Sequence, residues 1–267
     1  MLTIQALYCY PFKSARGIRL SEARVEARGL AFDRRWMAVD IGGKFLSQRT
    51  HPLLGLITTS LTDTSLVLEA PGIDRLSLPL FFESPYRRNV TVWDDTMSAL
   101  ECGDEASDWI STFLHERTMI VYFPDDSLRS VDPRYAAHGE HTAFADAFPV
   151  LLITQASLDD LNLRLKAPLP MNRFRPNIVV DGAEPYAEDT WGRIRLGGSV
   201  ELDVVKPCAR CAITTIDQET LERGNEPLAT LSAYRQSGSK LLFGQNALVS
   251  APGVLRTGDQ VHVSARE

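Results

Sequence analysis

The segment KPCARCAITTID, Lys206 to Asp217, concentrates more reactive side chains than any other stretch of the chain. Its Cys208 and Cys211 form a C-x-x-C pair, which admits several chemistries. A thioredoxin-like dithiol opens a helix after a strand. Here the β-branched run Ala212 to Ile216 predicts a strand instead. A structural zinc site needs two more ligands. No second C-x-x-C exists, and His138 and His141 would have to complete the set at a spacing unlike the common zinc signatures. Two small buried thiols in a core are the plainest alternative. Lys206 and Arg210 weigh against that, because nearby cations favour a thiolate, the form that ligates a metal. Arg210 also offers a planar donor fork to a phosphate or a polar heterocycle, unless it is only a solvated arginine at a strand end.

Two further segments carry cations in suggestive places. YPFKSARG, residues 10 to 17, presents Lys13 and Ser14 after an aromatic-proline strand end, and DRRW follows at 33 to 36. In NRFRPNIVVDG, residues 172 to 182, Arg173 and Arg175 alternate around Phe174. Pro176 disfavours helix at Arg175, so an extended segment would turn both arginines to one side, as an anion clamp or as an exposed edge. In EDTW, residues 188 to 191, Asp189 could orient an arginine or act on a proton, while Trp191 reads as core. The first fifty residues hold nine basic and four acidic side chains, a net of +5, in a chain whose net charge is −6. The average excludes a general nucleic-acid binder, which needs a basic face, but not a concentrated basic pocket.

These residues need elements to position them. At 267 residues with 44% hydrophobic and 23% charged composition, the chain is an ordinary globular protein of one large or two small domains. Short apolar runs at Ile4 to Tyr8, Trp36 to Val39, Leu56 to Ile57, Leu66 to Leu68 and Val90 to Trp93 predict strands of a barrel or sandwich, with WMAVDIGGKFLSQ as a hairpin. Further strands are expected at Asn177 to Val180, Val200 to Val205, Ala212 to Ile216, Leu241 to Val249 and Gln260 to Val263. Three helices are expected: Asp104 to His115; SLDDLNLRL from Ser157, with Ser157 and Asp160 close to a capping box; and NEPLATLSAYR, capped by Asn225. The weakly patterned stretch from Pro124 to Pro149 is a linker or a loop over a site. The fold class is therefore mainly β with a few helices (α+β), in two domains, 1–123 and 124–267. Four cysteines are too few for a secreted disulfide scaffold. No signal peptide and no membrane-length apolar run is present, so a cytoplasmic protein without membrane contact is expected.

Taken together and in order, YPFKSARGI, FLSQRTHPLL, CGDEASDWISTFL, LLITQASLDDLN, NRFRPNIVV, YAEDTW, CARCAITTID, EPLATLSAYR and FGQNALV resemble the MOSC superfamily. More closely, they resemble its branch with an N-terminal MOSC β-barrel, which includes the mitochondrial amidoxime-reducing component and its bacterial relatives. The resemblance implies an N-terminal β-barrel-like domain followed by a MOSC β-barrel domain. It implies a molybdenum cofactor, rather than pyridoxal phosphate, with Cys211 as the metal's protein ligand and Cys208 as a neighbour. Lys13, Ser14, Arg34, Ser157 (with Ala156), Arg175, Asn177, Arg210, Thr214 and Thr215 match the cofactor-binding positions. Ser157 would open a helix whose N-terminus receives anionic charge. The implied activity is reduction of small N-hydroxylated substrates, with Cys211 and Asp189 as candidate catalytic residues. Some relatives carry a plant-type ferredoxin domain, but no such cysteine set is present here. Electrons are expected from a separate ferredoxin- or flavoprotein-type partner. Rival readings are a sulfur-transfer protein with a persulfide on Cys211, a non-enzymatic cofactor carrier, and the zinc module above.

Overall fold

The computed structural model describes residues 1–265. Most of the regular structure is strand, with three α-helices among the described residues, and the expected fold class holds. The largest sheet runs, in spatial order, through Val261–Ala265, Trp191–Leu196, Val200–Ala209, Lys240–Ala251, Val150–Thr154, Ile178–Asp181, Thr3–Cys9 and Ile18–Leu20. Among the described strands of this sheet only Val150–Thr154 and Ile178–Asp181 pair in parallel, and the connection that carries the helix Gln155–Arg164 joins them. The side chains of Ile4, Leu7, Leu152, Val180, Leu202 and Leu255 meet in one apolar core. The alternation of buried and partly buried positions over the first five residues of Val200–Ala209 is the period-two pattern of a strand with one face covered.

A four-stranded antiparallel sheet holds Trp36–Asp40, Thr118–Tyr122, Asp95–Glu101 and Arg87–Val92. Helix α1, Asp104–Leu114, matches its expected span, with Asp104 and Glu105 at its positive end and Trp109, Ile110 and Phe113 buried. Those residues pack with Trp36, Leu54, Leu66 and Leu78 in a second core. Strands pair across the expected division at residue 124. Strand Thr3–Cys9 pairs with Ile178–Asp181, and Glu22–Glu26 pairs with Gly253–Arg256.

Several local expectations are corrected. Leu56 closes a 3-10 turn, Pro52–Leu56, and the strand follows at Thr58–Leu61. Ala212–Thr215 is a 3-10 turn rather than a strand. There Thr214 and Thr215 bond back to the carbonyls of Cys211 and Ala212, so hydroxyl capping overrides β propensity. Helix α2, Gln155–Arg164, begins before Ser157. Thr154 is its N-cap, and its hydroxyl accepts the Ser157 N–H. Helix α3, Leu228–Tyr234, starts after Asn225, which contributes only its carbonyl, to the Ala229 N–H.

The stretch 124–149 is a packed loop. Buried Arg129 gathers it, donating to the carbonyls of Ala143, Ala145 and Asp146 and pairing with Asp95 at 2.8 Å.

Candidate functional site

A cleft of about 260 Å³ lies where loops of the N-terminal half meet the strand ends of the large sheet. Lys13, Ser14, Arg34, Arg175, Asn177, Arg210, Cys211 and Thr214 line it. Eight of the expected site residues thus converge from four distant segments. Seven cations line the cleft (Lys13, Arg34, Arg49, Arg175, Lys206, Arg210 and Lys240) against one carboxylate, Asp146. That concentration of positive charge in a chain of net charge −6 is an anion-binding arrangement.

The cations are held in place by protein acceptors. Lys13 Nζ donates to the Phe144 carbonyl and to Asp146 Oδ1, both at 2.7 Å. Burial lowers the Lys13 pKa, while the ammonium beside Asp146 holds that carboxyl well below the usual carboxylate range. Arg34 donates to Asp33 Oδ2 at 2.5 Å and to Asn177 Oδ1 at 3.2 Å. Arg175 donates to the Ala15 carbonyl at 2.7 Å, and burial lowers its pKa to about 10, so it remains charged at neutral pH. The guanidinium groups of Arg34 and Arg175 both lie 4.3 Å from the centre of the Tyr10 ring. Two like charges thereby share one aromatic ring. Tyr10 is fixed by its own hydrogen bond to the Pro176 carbonyl, and Gly17 leaves room for it. A Cβ at position 17 would lie 2.4 Å from Tyr10 Cε1.

Ser14, Arg34 and Arg175 all have left-handed backbone, with φ of 72°, 49° and 55°. Such conformations are costly outside glycine and cluster where function demands them. The extended geometry expected around Phe174 is therefore wrong. Arg173 closes a 3-10 turn, Met171–Arg173, and Arg175 adopts positive φ, so the two arginines part. Arg173 supports the cysteine loop from behind, donating to the Thr214 carbonyl and to Asp217, both at 3.0 Å.

Strand Val200–Ala209 delivers the cysteine pair through a bulged edge. Its register against Lys240–Ala251 shifts at Val204/Lys206 and again at Pro207/Ala209. Bulges of this kind re-aim side chains beside sites. Lys206 through Cys211 consequently all border the cleft. Arg210 donates to the Phe174 carbonyl at 2.6 Å and to Cys208 Sγ at 3.0 Å. Its Nε is buried with no partner, a donor awaiting an acceptor from a bound group. Cys211 caps the 3-10 turn and is half-buried, and its carbonyl accepts from the Thr214 hydroxyl. Among the described residues no cluster of three His, Cys, Asp or Glu side chains is arranged to hold a metal ion, so the zinc set of Cys208, Cys211, His138 and His141 is not formed. Two free thiols, Cys208 and Cys211, border the anion cradle, and a thiol so placed suits a metal that arrives with its own ligands. The residues present therefore fit a phosphorylated, metal-bearing pterin.

Three expected residues lie elsewhere. Ser157 is fully buried at the start of α2, and its hydroxyl donates to the Glu188 carboxylate at 2.8 Å. Glu188 also accepts from the Thr154 N–H and hydroxyl, so the chain itself fills the helix start offered to the cofactor. Asp189 is paired with Arg235 at 2.7 Å and accepts from Gln245, away from the cleft-lining set. Thr215 is buried, with its hydroxyl on the Ala212 carbonyl. Sequence reading missed Asp146, Ser47, Arg49, Lys240 and Asn246 as cleft residues. Ser47 and Arg49 lie in FLSQRTHPLL and Asn246 in FGQNALV, which carry the resemblance but no chemical signature of their own.

Comparison with known proteins finds two family matches along the chain. Residues 1–117 match the MOSC N-terminal beta barrel domain, and residues 139–262 match the MOSC domain. The chain is 35% identical to mitochondrial amidoxime-reducing component 1 of Mus musculus, over 98% of this chain and 82% of that protein. It is 34% identical to mitochondrial amidoxime reducing component 2 of Bos taurus, over 97% of this chain and 82% of that one. For mitochondrial amidoxime-reducing component 1 of Homo sapiens the identity is 34%, over 98% and 82%.

Proposed function

The chain belongs to the MOSC proteins with an N-terminal MOSC beta barrel, the family of the mitochondrial amidoxime-reducing components, and from that premise we propose that it is a molybdenum-cofactor-dependent reductase of N-hydroxylated compounds. The observation that carries this reading is the cleft in which Cys211 and the partnerless Nε of Arg210 border a cradle of cations. In the overall reaction an amidoxime takes up two electrons and two protons and leaves as an amidine and water. The cofactor, when bound, supplies the two-electron chemistry that breaks the N–O bond.

The protein's part is binding, orientation and proton supply. Cys211 offers the sulfur that ties the metal to the chain. Arg34, Arg175 and Lys13 neutralise the anionic pterin phosphate, and Arg210 offers its free Nε–H to a heterocycle acceptor. Lys13 holds a proton at Nζ against Asp146 Oδ1 on the cleft wall. Asp189, engaged as an acceptor by Arg235 and Gln245, has no place in this scheme. A separate ferredoxin- or flavoprotein-type partner supplies the electrons.

Expression in a host that makes the cofactor, followed by metal and pterin analysis and an assay with benzamidoxime and a chemical reductant, tests the proposal. Molybdenum with pterin and turnover are expected in the wild type, and Cys211→Ala should show no turnover above background. Full activity in that variant with molybdenum still bound would falsify the assignment. Cyanide-labile sulfur without molybdenum would favour sulfur transfer instead.

A further inference from the structure

Against Arg49, a residue of the cleft wall, lies an aromatic residue whose placement the fold does not require. Strands Arg87–Val92 and Asp95–Glu101 pair with Val92 opposite Asp95, leaving Trp93 and Asp94 as a two-residue hairpin tip. Such tips favour Asn or Gly because the first residue takes positive φ. Here that residue is Trp93, at φ 57°. A bulky side chain there is an outlier that local propensity disfavours. Nor does core packing place it, since Trp93 is 43% exposed.

Its neighbours connect it to the site. The Arg49 guanidinium lies 4.0 Å from the centre of the Trp93 ring. Phe45 meets the same ring edge-on, with centroids 5.0 Å apart, and the Lys13 ammonium lies 5.3 Å from the centre of Phe45. Arg49 lines the cleft beside Ser47 and Asp146, and among the described residues no carboxylate lies within ion-pair distance of it. A row of cation, ring, ring and cation therefore runs from Lys13 through Phe45 and Trp93 to Arg49, with both of its end cations lining the cleft.

Resting on the reductase reading above, we propose that Trp93, braced by Arg49 and Phe45, is a specificity-determining platform for planar, conjugated N-hydroxylated substrates. A substrate that places its N–O group in the cleft directs the rest of the molecule toward the Arg49 wall. An aryl group there gains a ring to stack on, and Arg49 keeps N–H donors for the substrate's polar edge. A small aliphatic amidoxime gains nothing from the ring. Trp93 contacts substrate only and takes no part in the bond change.

The test compares benzamidoxime with acetamidoxime on cofactor-loaded protein, with a chemical reductant so that docking of a redox partner plays no part. Trp93→Ala should raise KM for benzamidoxime about two- to tenfold, the worth of one aromatic pair, with kcat unchanged. KM for acetamidoxime should stay the same, and Trp93→Phe should retain most of the discrimination. Equal changes for both substrates, or none for either, would overturn the platform. Binding of benzamidine, the reaction product, gives a readout independent of turnover. It should quench the fluorescence of wild-type protein and not that of Trp93→Phe. If the wild type reduces neither amidoxime, the reductase reading fails, while quenching still decides whether Trp93 holds an aryl group.

Discussion

Ser14, Arg34 and Arg175 pay in backbone strain for their places around the cleft, and the three differ in what that strain holds. For the arginines it directs guanidinium groups onto Tyr10. Ser14 is small, nearly buried, and held through its carbonyl by Gln48 Nε2 at 2.7 Å. Replacing it with glycine keeps that carbonyl and relieves the left-handed cost, about 1 kcal/mol. Ser14→Gly should therefore raise the thermal midpoint while lowering the pterin retained through purification, because the hydroxyl bordering the cleft is gone. A variant that gains stability and keeps all its cofactor would show that this hydroxyl does not bind.

At the scale of elements, the buried Glu188 decides how α2 begins. It accepts from the Thr154 N–H at 3.2 Å, the Thr154 hydroxyl at 2.8 Å and the Ser157 hydroxyl. Burial raises its pKa in the folded protein. Folding thus favours the protonated form. The stability this contributes is complete below the ordinary glutamate value, about 4.3, and is lost as pH rises through the higher folded value. Glu188→Gln keeps the shape and removes the charge, so unfolding free energy measured from about pH 5 to 8 should vary less with pH than in the wild type. Glu188→Ala strands the Thr154 and Ser157 hydroxyls and should cost about 1–3 kcal/mol in chemical denaturation. Equal pH slopes in the wild type and Glu188→Gln would show that Glu188 is ionised throughout.

Across the whole molecule, the two halves share their sheets. Thr3–Cys9 and Ile18–Leu20 complete the large sheet, and Glu22–Glu26 pairs with Gly253–Arg256. Buried Gln48 and Gln218 exchange reciprocal amide hydrogen bonds at 3.0 and 2.9 Å across the same junction. A fragment of residues 124–267 lacks Thr3–Cys9, the strand that pairs along Ile178–Asp181, leaving a hydrogen-bonding edge open. It should show no cooperative thermal transition alone and should gain one when residues 1–123 are co-expressed. A sharp transition in the lone fragment would mean that the N-terminal strands are dispensable. Among the described residues no helix is long and apolar enough to cross a membrane.

What was legible in the sequence follows from periodicity and residue type. Helix α1 carried its apolar face and acidic first turn in plain view, and most strands of the large sheet appeared as short β-branched runs. The cations of YPFKSARG, DRRW and FRPN, with the C-x-x-C pair, marked three of the seven cleft cations and both of its thiols, because binding an anion requires such side chains. The tertiary structure alone decided where those side chains point. Alternation placed Arg173 and Arg175 together, but positive φ at Arg175 and a 3-10 turn at Arg173 separated them. Ser157 looked free to cap its helix and meet a ligand until Glu188, 31 residues away, took its hydroxyl. Asp146 and Arg49 joined the site from segments with no chemical motif, drawn in by Lys13, Arg129 and Trp93. Local sequence sets which groups are available. Which of them meet is settled by long-range partners, whose energies exceed the propensities that sequence patterns record.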